Sequence, residues 1–252
     1  SPVILHVPHD STSIPDEYLT LFTLSDAALR QEITKMTDLH TDDLFQLETA
    51  RKIIAPVSRL LVDVERFPDD AQEPMAAIGM GMLYKTTSDL KKLKDPMSLE
   101  IREELKEKYY DTHHDKLYQA VSEALSQFKT CLIIDCHSFP SVALPYERQP
   151  ANAPRPQICL GTDDYHTPAD LYKKMKTKFE TLGYEVDTDT PFAGAITPMA
   201  YYRQNKDVHS IMIEVRRDLY IDEKTGRKNN NFSNVRDDLA NVLEDIAGYY
   251  DT

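Results

Sequence analysis

Leu132-Ile133-Ile134-Asp135-Cys136-His137-Ser138 is a short apolar run that ends in a carboxylate and an imidazole two residues apart. A run of this length without alternation reads as a strand buried on both faces, which requires a sheet covered by helices on both sides. Ligands of open α/β sheets bind at the carboxyl ends of such strands, so the polar Asp-x-His end marks a candidate site. Similar runs lie at 3–7, 53–55, 60–64, 158–160 and 211–215, and each is expected to be a strand. Helical periodicity falls between them, at 25–36, 41–49, 98–128, 168–182 and 232–249. Ser98 heads the longest, although Ile101 stands where a capping box would place Glu or Gln. Strands alternating with helices predict a three-layer α/β sandwich with a mixed, mostly parallel central sheet. The stretch 66–94 has no clear period, contains Gly79 and Gly81, and is long for a plain connection, which marks it as a functional loop.

The 252 residues, 41% of them apolar, suffice for a substantial core, and with no repeat, low-complexity tract or linker they read as one domain over 1–252. A formal charge of −13 opposes association with phosphate backbones and anionic lipid, so neither nucleic acid nor a membrane is expected as a partner. No apolar run approaches the roughly eighteen residues of a membrane span, and the opening Ser1-Pro2-Val3 shows no charged-then-apolar leader, so a cytoplasmic protein is expected. Cys131, Cys136 and Cys159 are an odd set without metal-ribbon spacing and read as reduced core thiols.

Four further places carry possible chemistry. Val7-Pro8-His9-Asp10-Ser11 puts a second imidazole just after a strand, able to converge with His137. Asp38-Leu39-His40-Thr41-Asp42-Asp43 is dense in oxygen and nitrogen donors, although Asp and Thr there also suit a helix first turn. Two imidazoles and one carboxylate with an open fourth position form the donor set of a catalytic zinc hydrolase. Glu214, inside Ile211-Met212-Ile213-Glu214-Val215, is costly to bury unpaired, so it is either an ion-pair partner of Arg216 or a general base. Arg59 and Arg66 bracket the 60–64 run and offer guanidinium groups for a substrate carboxylate, or pair with Asp63, Glu65, Asp69 and Asp70. His40 reads as exposed or outside the ligand set, His113 and His114 as solvated helix residues, and His6, His166 and His209 have no motif around them.

Together these pieces resemble the N-formylglutamate amidohydrolase family. The resemblance rests on Val7-Pro8-His9-Asp10-Ser11 with Ile14-Pro15, on 38–45 and 58–70, on Asp135-Cys136-His137-Ser138-Phe139-Pro140, on Leu160-Gly161-Thr162 and Pro191-Phe192-Ala193-Gly194, and on 210–220. That family is similar in turn to zinc carboxypeptidases, whose Asp-x-His-Ser stretch, Asn-Arg pair and strand Glu are matched here at His137, Glu65-Arg66 and Glu214. The resemblance implies a phosphorylase/hydrolase-like fold, one zinc ion per chain held by His9, His137 and a carboxylate, and Glu214 as the base. Carboxypeptidases place the carboxylate three residues after the first His, where this chain has Thr12, so Asp38 is chosen and Asp42 held in reserve. Glu65 departs from the Asn of the pair, and a carboxylate beside Arg66 would neutralise it and repel an anionic substrate.

The expected function is zinc-dependent hydrolysis of an amide in a small N-formyl or N-acyl amino acid. Glu214 would activate the attacking water, Arg59 would assist the oxyanion, and Arg66 would orient a carboxylate. Two alternatives stay open: a carboxypeptidase-like peptidase or amidase on peptide or cell-wall substrates, and a metal-binding or sensor module without turnover.

Overall fold

The computed structural model describes residues 1–150 and 152–250. Its centre is a six-stranded sheet of β1 (Val3–Val7), β2 (Arg51–Ile54), β3 (Cys131–Phe139), β4 (Ile158–Gly161), β5 (Val186–Thr188) and β6 (Val208–Arg216), in the order β2-β1-β3-β6-β4-β5. The β2-β1-β3-β6 ladders are parallel, β4 is antiparallel to β6, and β5 is parallel to β4, which is the mixed, mostly parallel sheet expected.

Side chains alternate across a strand, so each central strand feeds two cores. Val3, Leu5 and Val7 of β1, Leu132, Ile134 and Cys136 of β3, and Ile211, Ile213 and Val215 of β6 pack against α6 (Ala169–Thr181) and α7 (Phe232–Tyr250). Val235, Leu239, Val242 and Ile246 recur at helical spacing and give α7 the apolar stripe that covers this face. On the opposite face, Ile4, Ile53, Ile133 and Val208 meet Leu117, Ala120, Val121 and Ala124 of α5 (Thr112–Phe128), again one helical stripe. Helix, sheet and helix thus form three layers.

α5 is the end of a helical stretch that starts at α4 (Leu99–Leu105) and passes through a π-helical turn at Lys106–Asp111. Ser98 caps it as expected, its hydroxyl accepting from Ile101 N at 3.3 Å. A further apolar cluster joins Tyr18 of α1 (Asp16–Leu19), Leu29 and Met36 of α2 (Asp26–Met36), Leu60, Leu61 and Val62, Met82 and Tyr84, and Leu105 of α4. It forms a lobe beside the sheet.

That lobe explains why the expected strand at 60–64 is absent. The segment is a buried turn, with Leu61 N and Val62 N both donating to Ser58 O, and its apolar residues serve the lobe's own core. A short apolar run has no period to separate the two outcomes. The expected helix at 41–49 ends early, as α3 (Thr41–Leu44), because Phe45 turns to an extended conformation and is buried against the sheet. β5 carries no apolar run to mark it, because it is a three-residue, half-buried edge strand with Asp187 at its middle. All three cysteines are free and buried, as expected. Among the described residues no helix is long and apolar enough to cross a membrane.

Candidate metal centre and catalytic site

The chain leaves β1 for β2 on one side and returns to β3 on the other, so a crevice opens at the carboxyl ends of β1 and β3. His9 lies two residues past β1, and His137 lies near the end of β3. Parity puts Asp135 and His137 on the α5 side of the sheet, and Glu214 of β6 follows them because its register partner is His137. The two site imidazoles stand with ring centroids 5.1 Å apart.

The carboxylate between them is Glu65, carried by the turn that follows Val62. Its Oε2 is 3.1 Å from His137 Nε2 and 3.6 Å from His9 Nδ1, and ligand atoms of His9, Glu65 and His137 all lie within 4.8 Å of one another. His9 Nδ1 is buried without a hydrogen-bond partner. Its Nε2 is tied to Asp63 Oδ1 at 2.9 Å, and His137 Nδ1 faces Asp38 Oδ2 at 3.2 Å. His9 thus has Nε2 fixed by Asp63 and Nδ1 toward Glu65, whereas His137 has Nδ1 on Asp38 and Nε2 at 3.1 Å from both Glu65 Oε2 and Asp135 Oδ1; carboxylate contacts of this kind orient metal-binding histidines.

Asp38, expected as the third ligand, also lies near both rings, its Oδ2 3.8 Å from His9 Nδ1 and 3.2 Å from His137 Nδ1. Its Oδ1 accepts from Arg217 Nη2 at 2.8 Å and its Oδ2 accepts from Ser138 N at 3.1 Å while facing His137, so both oxygens are committed behind the imidazole. Asp42, the reserve, pairs with Lys52 at 2.9 Å on a half-exposed surface. Asp63 is a second hub, accepting from Arg59 Nη2 at 2.9 Å, Tyr84 Oη at 2.7 Å and Glu65 N at 2.9 Å. Arg59 and Arg66 thus flank a buried turn instead of a strand, and both face the cavity. Arg59 is locked on Asp63, whereas Arg66 Nε has no hydrogen-bond partner and sits 3.7 Å from Asp63 Oδ2.

Glu214 is 6% exposed, and its Oε2 has no partner. Arg216 pairs with Asp218 and with Arg155 O, which removes the ion-pair explanation for Glu214. Burial pushes the Glu214 carboxyl up to about 8, with Asp38 adding to the rise against the pull of His137. For Asp63 burial pulls the same way, but Arg59, His9 and Arg66 together outweigh it and hold the carboxyl well below the usual range. Burial and the nearby Arg59 lower the His9 imidazole, whereas for His137 burial is overcome by Glu65 and Asp135, which raise it well above its ordinary value.

His113 and His114, expected to be solvated, are not. His113 is buried with Nε2 at 2.8 Å from His6 Nε2, and His114 meets Val64 O at 2.8 Å. His40 contacts Gly226 O, His166 contacts Val208 O and His209 contacts Tyr250, all outside the cluster. Asp135 belongs to the Asp-x-His end and Asp63 is expected only as an arginine partner; Arg217 and His6 join the site with no motif pointing to them. The only sequence signal for them is a charged or polar residue inside or next to a buried apolar run, which many structural residues share.

The cluster opens into a cavity of about 1070 Å³. The 66–94 stretch supplies part of its wall through Phe67, Met75 and Ile78, and Tyr110, Phe192 and Met199 supply more.

Two solved structures share the architecture. The crystal structure of N-formylglutamate amidohydrolase from Ralstonia eutropha JMP134 superposes with a TM-score of 0.86 at 21% identity, over 99% of this chain and 94% of that one. Gene product Atu2144 from Agrobacterium tumefaciens gives a TM-score of 0.69 at 19% identity, over 98% of this chain and 92% of that one. No curated protein matches. The family model for N-formylglutamate amidohydrolase matches residues 1–221, most of the chain and every residue of the cluster, and the chain therefore belongs to the N-formylglutamate amidohydrolase family.

Proposed function

We propose that the protein, acting as one domain, is a zinc-dependent hydrolase of the amide bond in N-formyl or N-acyl amino acids. The observation that carries this is the convergence of His9 Nδ1, Glu65 and His137 on one point, with a buried, unpartnered Glu214 oxygen in the same cavity. Two nitrogens and one oxygen suit zinc, and an orphaned buried imidazole nitrogen is the atom such an ion would satisfy. His9, Glu65 and His137 would hold it, Glu65 taking the role first assigned to Asp38. When bound, zinc supplies Lewis-acid polarisation of the scissile carbonyl and a lowered pKa for water.

The chain's own groups do the rest. Asp63 and Asp38 fix the tautomer and direction of His9 and His137 through the nitrogens that face away from Glu65. Glu214 takes a proton from the attacking water and passes it to the departing amine. Arg66, free to donate, orients a substrate carboxylate, and Arg59 adds a fixed positive charge at the cavity wall. Burial of His9, His137 and Glu214 excludes bulk water and strengthens each of these interactions.

A second reading, a peptidase or amidase on larger substrates, is favoured by the size of the cavity, which is at the top of the range for small-molecule sites. Metal analysis of the purified protein, followed by assay on a panel of N-formyl amino acids, longer N-acyl amino acids and short peptides, tests both. Zinc with turnover of N-formyl or N-acyl amino acids is expected. Turnover of peptides alone would favour the second reading, and a protein that binds no metal would overturn both.

A further inference from the structure

We propose that a second divalent cation binds between His6, Asp135 and Glu65, so that the Glu65 carboxylate bridges two metals. This rests on the zinc reading of the first site and extends it. The two oxygens of Glu65 point to different partners: Oε2 faces His9 and His137, whereas Oε1 is 3.8 Å from His6 Nδ1. His6 Nδ1 is in turn 2.7 Å from Asp135 Oδ1, and ligand atoms of His6, Glu65 and Asp135 all fall within 4.8 Å of one another. Bonds of about 2.0–2.2 Å to nitrogen and oxygen set neighbouring ligand atoms a little over 3 Å apart, a value these two spacings bracket. The other Asp135 oxygen accepts from Ile196 N at 3.2 Å, which fixes the carboxylate with Oδ1 toward the cluster.

Charge points the same way. Of the carboxylates around His9 and His137, Asp38 is paired with Arg217 and Asp63 with Arg59. Glu65 and Asp135 have only imidazoles as ion-pair partners among the described residues. Asp135 and His6 are fully enclosed, and an ionised carboxylate in such a place needs a lasting cation. A pair of divalent ions joined by one carboxylate meets that need for both groups and is an arrangement suited to hydrolysis. The competing account makes His6 and Asp135 a hydrogen-bonded pair that only steadies His137.

The test is stoichiometry. Metal-stripped full-length protein is titrated with zinc by calorimetry, and bound metal is counted by mass spectrometry after desalting. Two equivalents per chain are expected for the wild type and one for His6→Gln and Asp135→Asn, with circular dichroism confirming that the variants fold. Saturation of the wild type at one equivalent would overturn the second site and leave the first standing, and this outcome needs no variant. Two equivalents retained by both variants would likewise overturn it, while no binding at all would remove both sites.

Discussion

His137 and Glu214 are direct partners in the parallel ladder between β3 and β6, so a candidate metal-binding imidazole and a candidate base are set side by side by backbone register alone. Nothing but the pairing of two strands is needed to hold them together. Because β3 and β6 are buried over almost their whole length, that register is rigid, which suits a site needing sub-ångström placement.

Glu214→Gln keeps the size and hydrogen-bonding capacity of the side chain but removes the base. Zinc content should be unchanged, and kcat should fall by about 10²-fold or more. Near-normal turnover with metal bound would take the base role away from Glu214.

Asp38→Asn tests the reassignment of this residue from ligand to orienting group. An Asn keeps one acceptor oxygen, for Arg217 or for Ser138 N but not for both, and loses the charge behind His137, so zinc should remain at full occupancy under saturation with affinity lowered by about 10- to 100-fold. Glu65→Gln should cost far more affinity than Asp38→Asn. The reverse order in competitive zinc titrations would restore Asp38 as the ligand.

Arg66→Ala should raise KM for substrates bearing a free carboxylate by about tenfold or more while leaving kcat nearly unchanged, because a charge-assisted hydrogen bond contributes about 1.5–3 kcal/mol to binding in both ground and transition state. The matching amide of the same substrate should show no such change. Equal effects on acid and amide would make Arg66 a structural partner of Asp63.

Lys94 supplies a pH prediction far from the metal. It is buried against Phe22, donates to Leu61 O at 3.2 Å, and is lowered by burial to about 7. The unfolded chain holds this proton up to about 10.4, so folding is penalised most at and below pH 7, and the penalty fades as pH rises from there toward 10.4. Lys94→Met should therefore raise Tm at pH 6 and 7 and lose that advantage by pH 10. A Tm difference that stays flat from pH 7 to 10 would show that the amine is not buried in its neutral form.

The sequence by itself determined the layered α/β architecture. Period-2 and unbroken apolar runs can be buried only as strands under helices, and the 3.6-period stripes of α5 and α7 leave no other face to cover. It also marked His9, His137 and Glu214, because a polar residue at or inside a buried strand stands out against apolar neighbours. It could not determine which carboxylate joins the imidazoles. The sequence favours Asp38, with Asp42 in reserve, and offers Glu65 only as the neighbour of Arg66; the turn at 58–62, whose apolar residues mimic a strand but fold back into the lobe, is what brings Glu65 near the two rings. The partners of His6 and Arg217 were likewise fixed only in three dimensions. His113 lies 107 positions from His6 and Asp38 lies 179 from Arg217. Contacts over such separations depend on strand order and helix docking, which no local pattern encodes.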